Sequence, residues 1–499
     1  MAARVSDDGG VMERSFGWVA AGPGVREVDD ADQRFEVADV RRLARRAVRG
    51  MVRVARADDR ATFARIIGEH LDVPVEDLDV IEESWRGYDH VNVQAGLDTW
   101  LAEPGRTSQL VGVVNFRNRD FGLGELLRAS GRAEFHLPSP GNVSRVNLSS
   151  GPDGQVRPCV RCGLYLVEDD ELKAAVLLRE ADPESGMSKL SIQVVTDQPG
   201  AAARIAGRIR DLAVVHNVYR GQVVSFGGEM FGERETVLQF HARSTMTEAD
   251  LVLPADTLAA VSRQVVAVAA HRERLLAAGQ HLKRGLLLYG PPGVGKTHTV
   301  RYLVSQLRDT TIVELSGDSL HLIGEACSVA RTLQPAMIVV EDVDLIAEDR
   351  GMHPGEHPML FQLLNEMDGL AEDVDVIFLL TTNRADVLEP ALAARPGRVD
   401  QAVELNHPDE AARRQLFELY RGDLVVDRAR LDAVLARTEG VTASFLKELL
   451  RRSAVIAADA TPGEDRLSVS ADHLDAALDE LLDTRNAMTR VLLGGNRAP

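Results

Sequence analysis

Gly290-Pro291-Pro292-Gly293-Val294-Gly295-Lys296-Thr297 fits the pattern G-x-x-x-x-G-K-[ST], and its surroundings decide how it is read. The apolar run Leu286-Leu287-Leu288-Tyr289 before it predicts a buried strand. His298-Thr299-Val300-Arg301-Tyr302-Leu303-Val304 after it predicts a helix. Strand, glycine loop, helix is the context in which this pattern binds phosphate. The glycines let backbone N–H groups converge on phosphate oxygens. The helix N-terminus adds partial positive charge at the same point. The expected phosphate cradle is Gly290, Pro291, Pro292, Gly293, Val294, Gly295, Lys296, Thr297 and His298. Lys296 is placed to reach the β and γ phosphates, and Thr297 to ligate Mg²⁺. The chain has only five lysines, so a chance match to this pattern is rare.

Outward from the loop, apolar strands alternate with helical stretches: Leu286–Tyr289, Thr311–Leu315, Met337–Val340, Val376–Leu380 and Gln401–Leu405. That alternation predicts a parallel sheet with helices on both faces. After it, Pro408-Asp409-Glu410 reads as a helix start, and helical spacing follows near Ser444–Ala457 and Ala471–Leu482, so the end of the chain reads as a helical lid. Residues 60–245 mix both periods. Leu110–Phe116, Leu190–Val195 and Gln222–Phe226 read as strands, with breakers at Pro138–Gly141 and Gly151–Gly154. The predicted class is α/β: a P-loop parallel sheet with a C-terminal helical lid, preceded by an α+β region. The expected boundaries are a mobile arm over 1–35, the α+β region over 36–245, the nucleotide domain over 246–405, and the lid and tail over 406–499.

Composition removes several function classes. The net charge of −19 argues against a chain-wide affinity for nucleic acid. No apolar run is long enough for a membrane span, and Met1–Asp8 lacks the apolar core of a secretory signal, so a cytoplasmic location is expected. Three cysteines point to a reducing compartment rather than a disulfide scaffold. Arginine far outnumbers lysine, a codon signature of GC-rich bacterial genomes. Val40–Ala55 has helical apolar spacing with an arginine-rich opposite face, which reads as a solvated surface or as a docking face for an acidic partner. Cys159-Val160-Arg161-Cys162 is a lone CxxC, and a zinc site needs a second ligand pair.

One βα unit beyond the glycine loop, the apolar strand Ile338-Val339-Val340 ends in Glu341-Asp342-Val343-Asp344. A strand ending in acids is where a P-loop enzyme holds its Mg²⁺ shell and polarises the attacking water. Next comes Leu379-Leu380-Thr381-Thr382-Asn383-Arg384-Ala385-Asp386-Val387-Leu388-Glu389-Pro390-Ala391-Leu392-Ala393-Ala394-Arg395-Pro396-Gly397-Arg398-Val399-Asp400. This segment resembles the second region of homology of AAA ATPases. Arg284–Gly293 and Leu363–Gly369 are similar to the same family, and the resemblance covers about half the chain, residues 250–485.

The resemblance implies an ATPase using ATP and Mg²⁺. It places Glu341 as the Mg²⁺-coordinating acid and Asp342 as the water-activating acid. Asn383 matches the polar sensor that orients the water. Arg395 and Arg398 match arginine fingers that reach a neighbouring subunit's γ-phosphate, which implies a homo-oligomeric ring, most often hexameric. The implied activity is chaperone-like remodelling, unfolding or disassembly of a protein target. A nucleotide switch or scaffold with slow turnover is the alternative, and a nucleic-acid motor fits the acidity worst.

The chain departs from the family's pattern in several places. Glu341-Asp342 reverses the usual Asp-Glu, which predicts real but slow hydrolysis. Ala393-Ala394 adds a residue before Arg395. The expected aromatic pore loop has Leu322-Ile323-Gly324 as its nearest match, and the lid's Gly-Ala pair is replaced by Ala443-Ser444. No H-E-x-x-H zinc signature occurs, so the expectation is a soluble AAA protein that is not a protease.

Overall fold

The computed structural model describes residues 62–75, 78–117, 120–128, 138–182, 187–228, 236–344, 358–369, 371, 374–385, 399–460 and 467–483. The expected arm over 1–35, the arginine-rich stretch 40–56, Arg395, Arg398 and the last sixteen residues lie outside these.

The first layer is α+β. Its elements are α1 (Phe63–Leu71), β1 (Ile81–Trp85), α2 (His90–Leu101), β2 (Thr107–Val114), α3 (Leu123–Arg128), β3 (Ser139–Gly141), β4 (Ser144–Ser149), β5 (Val156–Glu168), β6 (Lys173–Arg179), β7 (Leu190–Thr196) and α4 (Ala201–Val215). The strands form one antiparallel sheet in the order β1-β7-β6-β5-β2-β3, with β4 also on β5. Inward residues on one face meet α2 and α4 through Val93, Leu97, Trp100, Ile205 and Ile209. On the other face they meet α1 and α3 through Phe63, Ile67, Leu123 and Leu126. Both faces are covered, so β6 and β7 are buried along almost their whole length. Gly96 lets α2 and α4 cross closely: a Cβ there would lie 2.6 Å from the Ala213 nitrogen.

The second sheet is built from β8 (Val223–Gly228), β9 (Thr236–His241), β10 (Arg284–Tyr289), β11 (Thr311–Leu315), β12 (Ala336–Val340), β13 (Val376–Thr382) and β14 (Gln401–Glu404). Its order is β14-β10-β13-β12-β11-β8-β9, parallel throughout except for the β8–β9 hairpin. Alternate residues of the strands face two helical layers. Leu286, Leu288, Met337 and Val339 pack on α5 (Ala255–Ser262) and α6 (Lys296–Gln306). Ile338, Val340, Phe378 and Leu380 pack on α7 (Ile323–Thr332) and α8 (Pro358–Asp368). The expected parallel sheet with helices on both faces is therefore present. The boundary expected at residue 246 falls after β8 and β9, which continue this sheet beyond β11.

The two layers share a core. Val91 and Cys159 of the first pack with Val224 and Phe226 of the second. The Tyr219 hydroxyl donates to the Tyr88 carbonyl at 2.7 Å. After the second sheet come α9 (Glu410–Arg421), α10 (Leu431–Arg437), α11 (Ala443–Ala460) and α12 (Ala471–Leu482), packed around Phe417, Leu435, Phe445, Leu449, Leu474 and Leu478. The expected start at Pro408-Asp409-Glu410 holds, because the Asp409 carboxylate caps α9 by accepting the Ala412 N–H at 2.7 Å.

Candidate active site

Three parallel strands end side by side on one edge of the second sheet, the edge where open α/β sheets bind ligands. β10 runs into the glycine loop, β12 into Glu341-Asp342, and β13 into Thr382-Asn383. β10 and β12 both pair with β13, so all three turns leave the sheet together.

The loop needs its glycines for different reasons. Gly290 has φ +144°, and a Cβ there would sit 2.2 Å from the Leu405 carbonyl oxygen at the end of β14. Gly295, at φ +109°, has no heavy atom within 4 Å of where a Cβ would be, so its bare face opens onto the cleft. Lys296 turns back over the loop: its ammonium donates to the carbonyls of Gly290 at 2.8 Å and Pro291 at 2.9 Å, and to Asn383 Oδ1 at 2.7 Å. Burial pulls its pKa down, opposed by the charges of Asp342 and Asp344.

The acids are held differently from one another. Glu341 is anchored through its N–H to the Leu315 carbonyl. Asp342 adopts φ +50°, with its N–H on Thr381 Oγ1 at 3.1 Å and its Oδ1 accepting from Asn383 Nδ2 at 3.1 Å. Asp342 lines the cleft beside Lys296, Thr297 and Asn383. Glu341 lies close enough to Glu314 on β11 to help burial raise the Glu314 pKa. Of the sequence-expected residues, the fold thus gathers Lys296, Thr297, Asp342 and Asn383 in one cleft of about 410 Å³.

The lid closes the other side. Ser444 at the start of α11 donates its N–H to the Gly293 carbonyl at 3.2 Å. Gly293 has φ +81°, and a Cβ there would lie 3.0 Å from Ser444 Oγ and Thr442 Oγ1, so loop and lid approach closely at this glycine. His298, Tyr420 and Lys447 complete the mouth. Burial, Arg301 and Lys447 lower the His298 pKa.

This set fits a nucleoside triphosphate with Mg²⁺. A bare glycine loop at a helix N-terminus and a buried ammonium suit phosphate. The Thr297 hydroxyl and the strand-end carboxylates are the hard oxygen donors Mg²⁺ prefers.

Sequence reading missed several participants. Asp344, Thr381 and Thr382 hold the strand-end turns, and Asp250, Leu251 and Tyr420 line the cleft. Their only signals were proximity to a motif and, for Asp344, a third acid after the strand. Two other expectations change. Ile323 of the nearest pore-loop match is a buried core residue beginning α7, which suits an apolar helix position rather than a gripping loop. Cys159 and Cys162 flank the bulge that breaks the β4–β5 register at Arg161, and their buried thiols join different cores: Cys159 the one shared with the second sheet, Cys162 the one under α1. Among the described residues, no group of three or more His, Cys, Asp or Glu side chains is placed to hold a metal.

Residues 286–407 match the family model described as "ATPase family associated with various cellular activities (AAA)". The chain is 35% identical over 229 residues to the ATP-dependent zinc metalloprotease FtsH 2 of Sphaerobacter thermophilus, covering 43% of this chain and 34% of that protein. It is 31% identical to FtsH of Mycobacterium leprae, over 43% of this chain and 28% of the relative. It is 29% identical to FtsH 3 of a Synechocystis species, over 52% of this chain and 44% of the relative. The chain thus spans less than half the length of each of these relatives. Since all three are named zinc metalloproteases, the matches lend no support to the expectation of a protein apart from AAA proteases.

Proposed function

We propose, for a chain whose nucleotide domain belongs to the AAA ATPase family, an oligomeric machine that hydrolyses ATP and spends the energy on remodelling a protein target. The observation that carries this reading is the cleft in which Lys296, Asn383 and Asp342 are joined by hydrogen bonds of 2.7 and 3.1 Å at the mouth of the glycine loop. A cation for phosphate, an amide for water and a carboxylate to take its proton are in one place. Glu341 and Thr297 are the proposed Mg²⁺ ligands. Arg395 and Arg398 are the proposed fingers, acting across a subunit boundary in a ring, with six subunits as the expected number.

The α+β layer over 63–215 is the proposed target-binding part. It shares a core with the second sheet, and Arg86 lies 3.7 Å from Glu325 on α7. Of what the relatives' names describe, the reading takes the ATP-dependent half, because H-E-x-x-H is absent from the sequence. Among the described residues, no helix is long and apolar enough to cross a membrane. A cytoplasmic location is part of the proposal.

The Glu341-Asp342 order favours a second reading, a nucleotide switch with little turnover. The deciding experiment is steady-state ATP hydrolysis against protein concentration, with Lys296→Ala and Arg398→Ala as controls. A rate per subunit that climbs with concentration and vanishes in both variants supports a ring with fingers acting in trans. A flat, near-zero rate alongside firm ATP binding overturns the machine in favour of the switch.

A further inference from the structure

We propose that Asp344 is a positioning residue that aims the Asn383 amide at Lys296 and Asp342. The inference rests on the reading of this cleft as an ATPase site.

Asp344 is 8% exposed, and a buried carboxylate must be met by donors. Its Oδ1 accepts from Thr382 Oγ1 at 2.8 Å and from the Asn383 N–H at 3.3 Å. The Thr382 hydroxyl, having given its proton to Asp344, accepts the Arg384 N–H at 2.9 Å. One carboxylate therefore fixes three successive residues of the turn that leaves β13. The Asn383 side chain on that turn is engaged at both ends: Oδ1 accepts from Lys296 and Nδ2 donates to Asp342.

The geometry has a consequence for turnover. The backbone ladder between β12 and β13 runs through Val340–Leu380, and beyond it the Val343 N–H still reaches the Thr381 carbonyl at 2.9 Å. Past that bond, Asp344 supplies the contacts between the strand-end turns on the backbone side of Asn383, while Asp342 supplies them on its side-chain side. Asp342 lines the cleft directly, whereas Asp344 does not and holds Asn383 through the backbone of its turn. An amide that must present one end to a cation and the other to a carboxylate loses its use once its turn swings by about an ångström. Asp344 also adds negative charge that favours the charged form of the half-desolvated Lys296.

The test compares Asp344→Leu, which removes acceptor and charge on a side chain branched at the same atom, with Asp344→Asn, which keeps the acceptor oxygen. Each is made alone and with Asn383→Ala in the full chain. Expected for Asp344→Leu is a fall in kcat of about 10²-fold, with Mg²⁺–ATP affinity within about threefold of the wild type. Asp344→Asn should recover most of that loss. Adding Asn383→Ala to Asp344→Leu should cost little more, because both remove the same aimed amide. A wild-type kcat in Asp344→Leu, or losses that multiply in the double variant, overturns the proposal. If the wild-type chain binds but does not turn over ATP, the ATPase reading fails separately. The crystal structure of Asp344→Leu then decides: Asn383 Oδ1 still within about 3.2 Å of Lys296 Nζ overturns the positioning role, and a displaced amide supports it.

Discussion

Asn383 Oδ1 accepts a hydrogen bond of 2.7 Å from Lys296 Nζ, so the cation of the glycine loop and the turn after β13 are tied together across the cleft. The two residues are 87 positions apart and meet because β10 and β13 are neighbours. The bond holds Lys296 over the loop and leaves the amide's Nδ2 on Asp342. Asn383→Ala should lower kcat by about 10²- to 10³-fold, the usual loss for one preorganised donor. Nucleotide affinity should change far less, since the glycine loop and Lys296 remain. Parallel measurement of kcat and of Mg²⁺–ATP binding checks this. A loss confined to affinity would remove Asn383 from the chemistry.

Asp342 sits at φ +50°, a conformation that costs most L-residues about 1 kcal/mol and that Asn and Asp tolerate best. Asp342→Asn should therefore keep its fold and its nucleotide binding while losing about 10²- to 10⁴-fold in hydrolysis. Asp342→Glu tests the reversed acid order. It should unfold a few degrees earlier because Glu tolerates this backbone less well, yet hydrolyse ATP at least as fast as the wild type. A slower Asp342→Glu with intact fold and assembly would show that the shorter acid is not what limits the rate.

Two glycines of the same loop should fail in different ways. Gly290→Ala places a Cβ 2.2 Å from the backbone oxygen of Leu405, which neither side can yield, so the variant should lose several kcal/mol of stability. Gly295→Ala meets no neighbour within 4 Å, and its strain at φ +109° is of order 1–3 kcal/mol. It should fold, but its methyl occupies the face that the phosphates need, so nucleotide affinity should drop by at least about tenfold. Thermal unfolding beside nucleotide titration separates the two.

Much of the nucleotide fold was legible because its signals are local. Thr311–Leu315 and Ala471–Leu482 are found where periodicity puts them, since continuous apolar runs suit a doubly covered strand and helical spacing suits a packed lid. The continuation of the sheet through Val223–Gly228 was not legible. A strand's run of residues does not reveal its partner, and Val223 finds Ile312 only in three dimensions. For the same reason the cleft's motif residues could be named, while Asp344 and Thr382 could not. Each lies inside a quoted motif, but its role is a hydrogen bond to a residue distant in sequence, which no spacing displays. The CxxC failed in the opposite way: the spacing was real, but on β5 it spans a bulge and the two thiols are buried in separate cores.

The start of α2 places two adjacent groups of opposite pH response beside the second sheet. Burial raises the Asp89 carboxyl to about 6, against a hydrogen bond from Asn92 that favours its charged form. Burial lowers His90 to about 4, aided by Arg161 and opposed by the bond its Nε2–H donates to the Val160 carbonyl at 2.9 Å. From about pH 4 to 6 the folded chain keeps a proton on Asp89 that the unfolded chain has lost, so this group makes stability fall as pH rises. From about pH 4 to 6.5 the unfolded chain carries a proton on His90 that the folded chain excludes, so this group makes stability rise. In the wild type the two slopes oppose each other. Asp89→Asn keeps an acceptor for Asn92 and removes the falling slope, so stability should climb more steeply with pH across that window. His90→Gln keeps a donor for Val160 and removes the rising slope, so stability should climb less or decline. Each change relative to wild type should amount to about 1–3 kcal/mol across the window, at 1.36 kcal/mol per pKa unit. Chemical denaturation at several pH values between about 4 and 7.5 measures it, and taking the difference from wild type removes every other titrating group. Equal pH profiles for the two variants would mean that neither group is perturbed by burial at this junction.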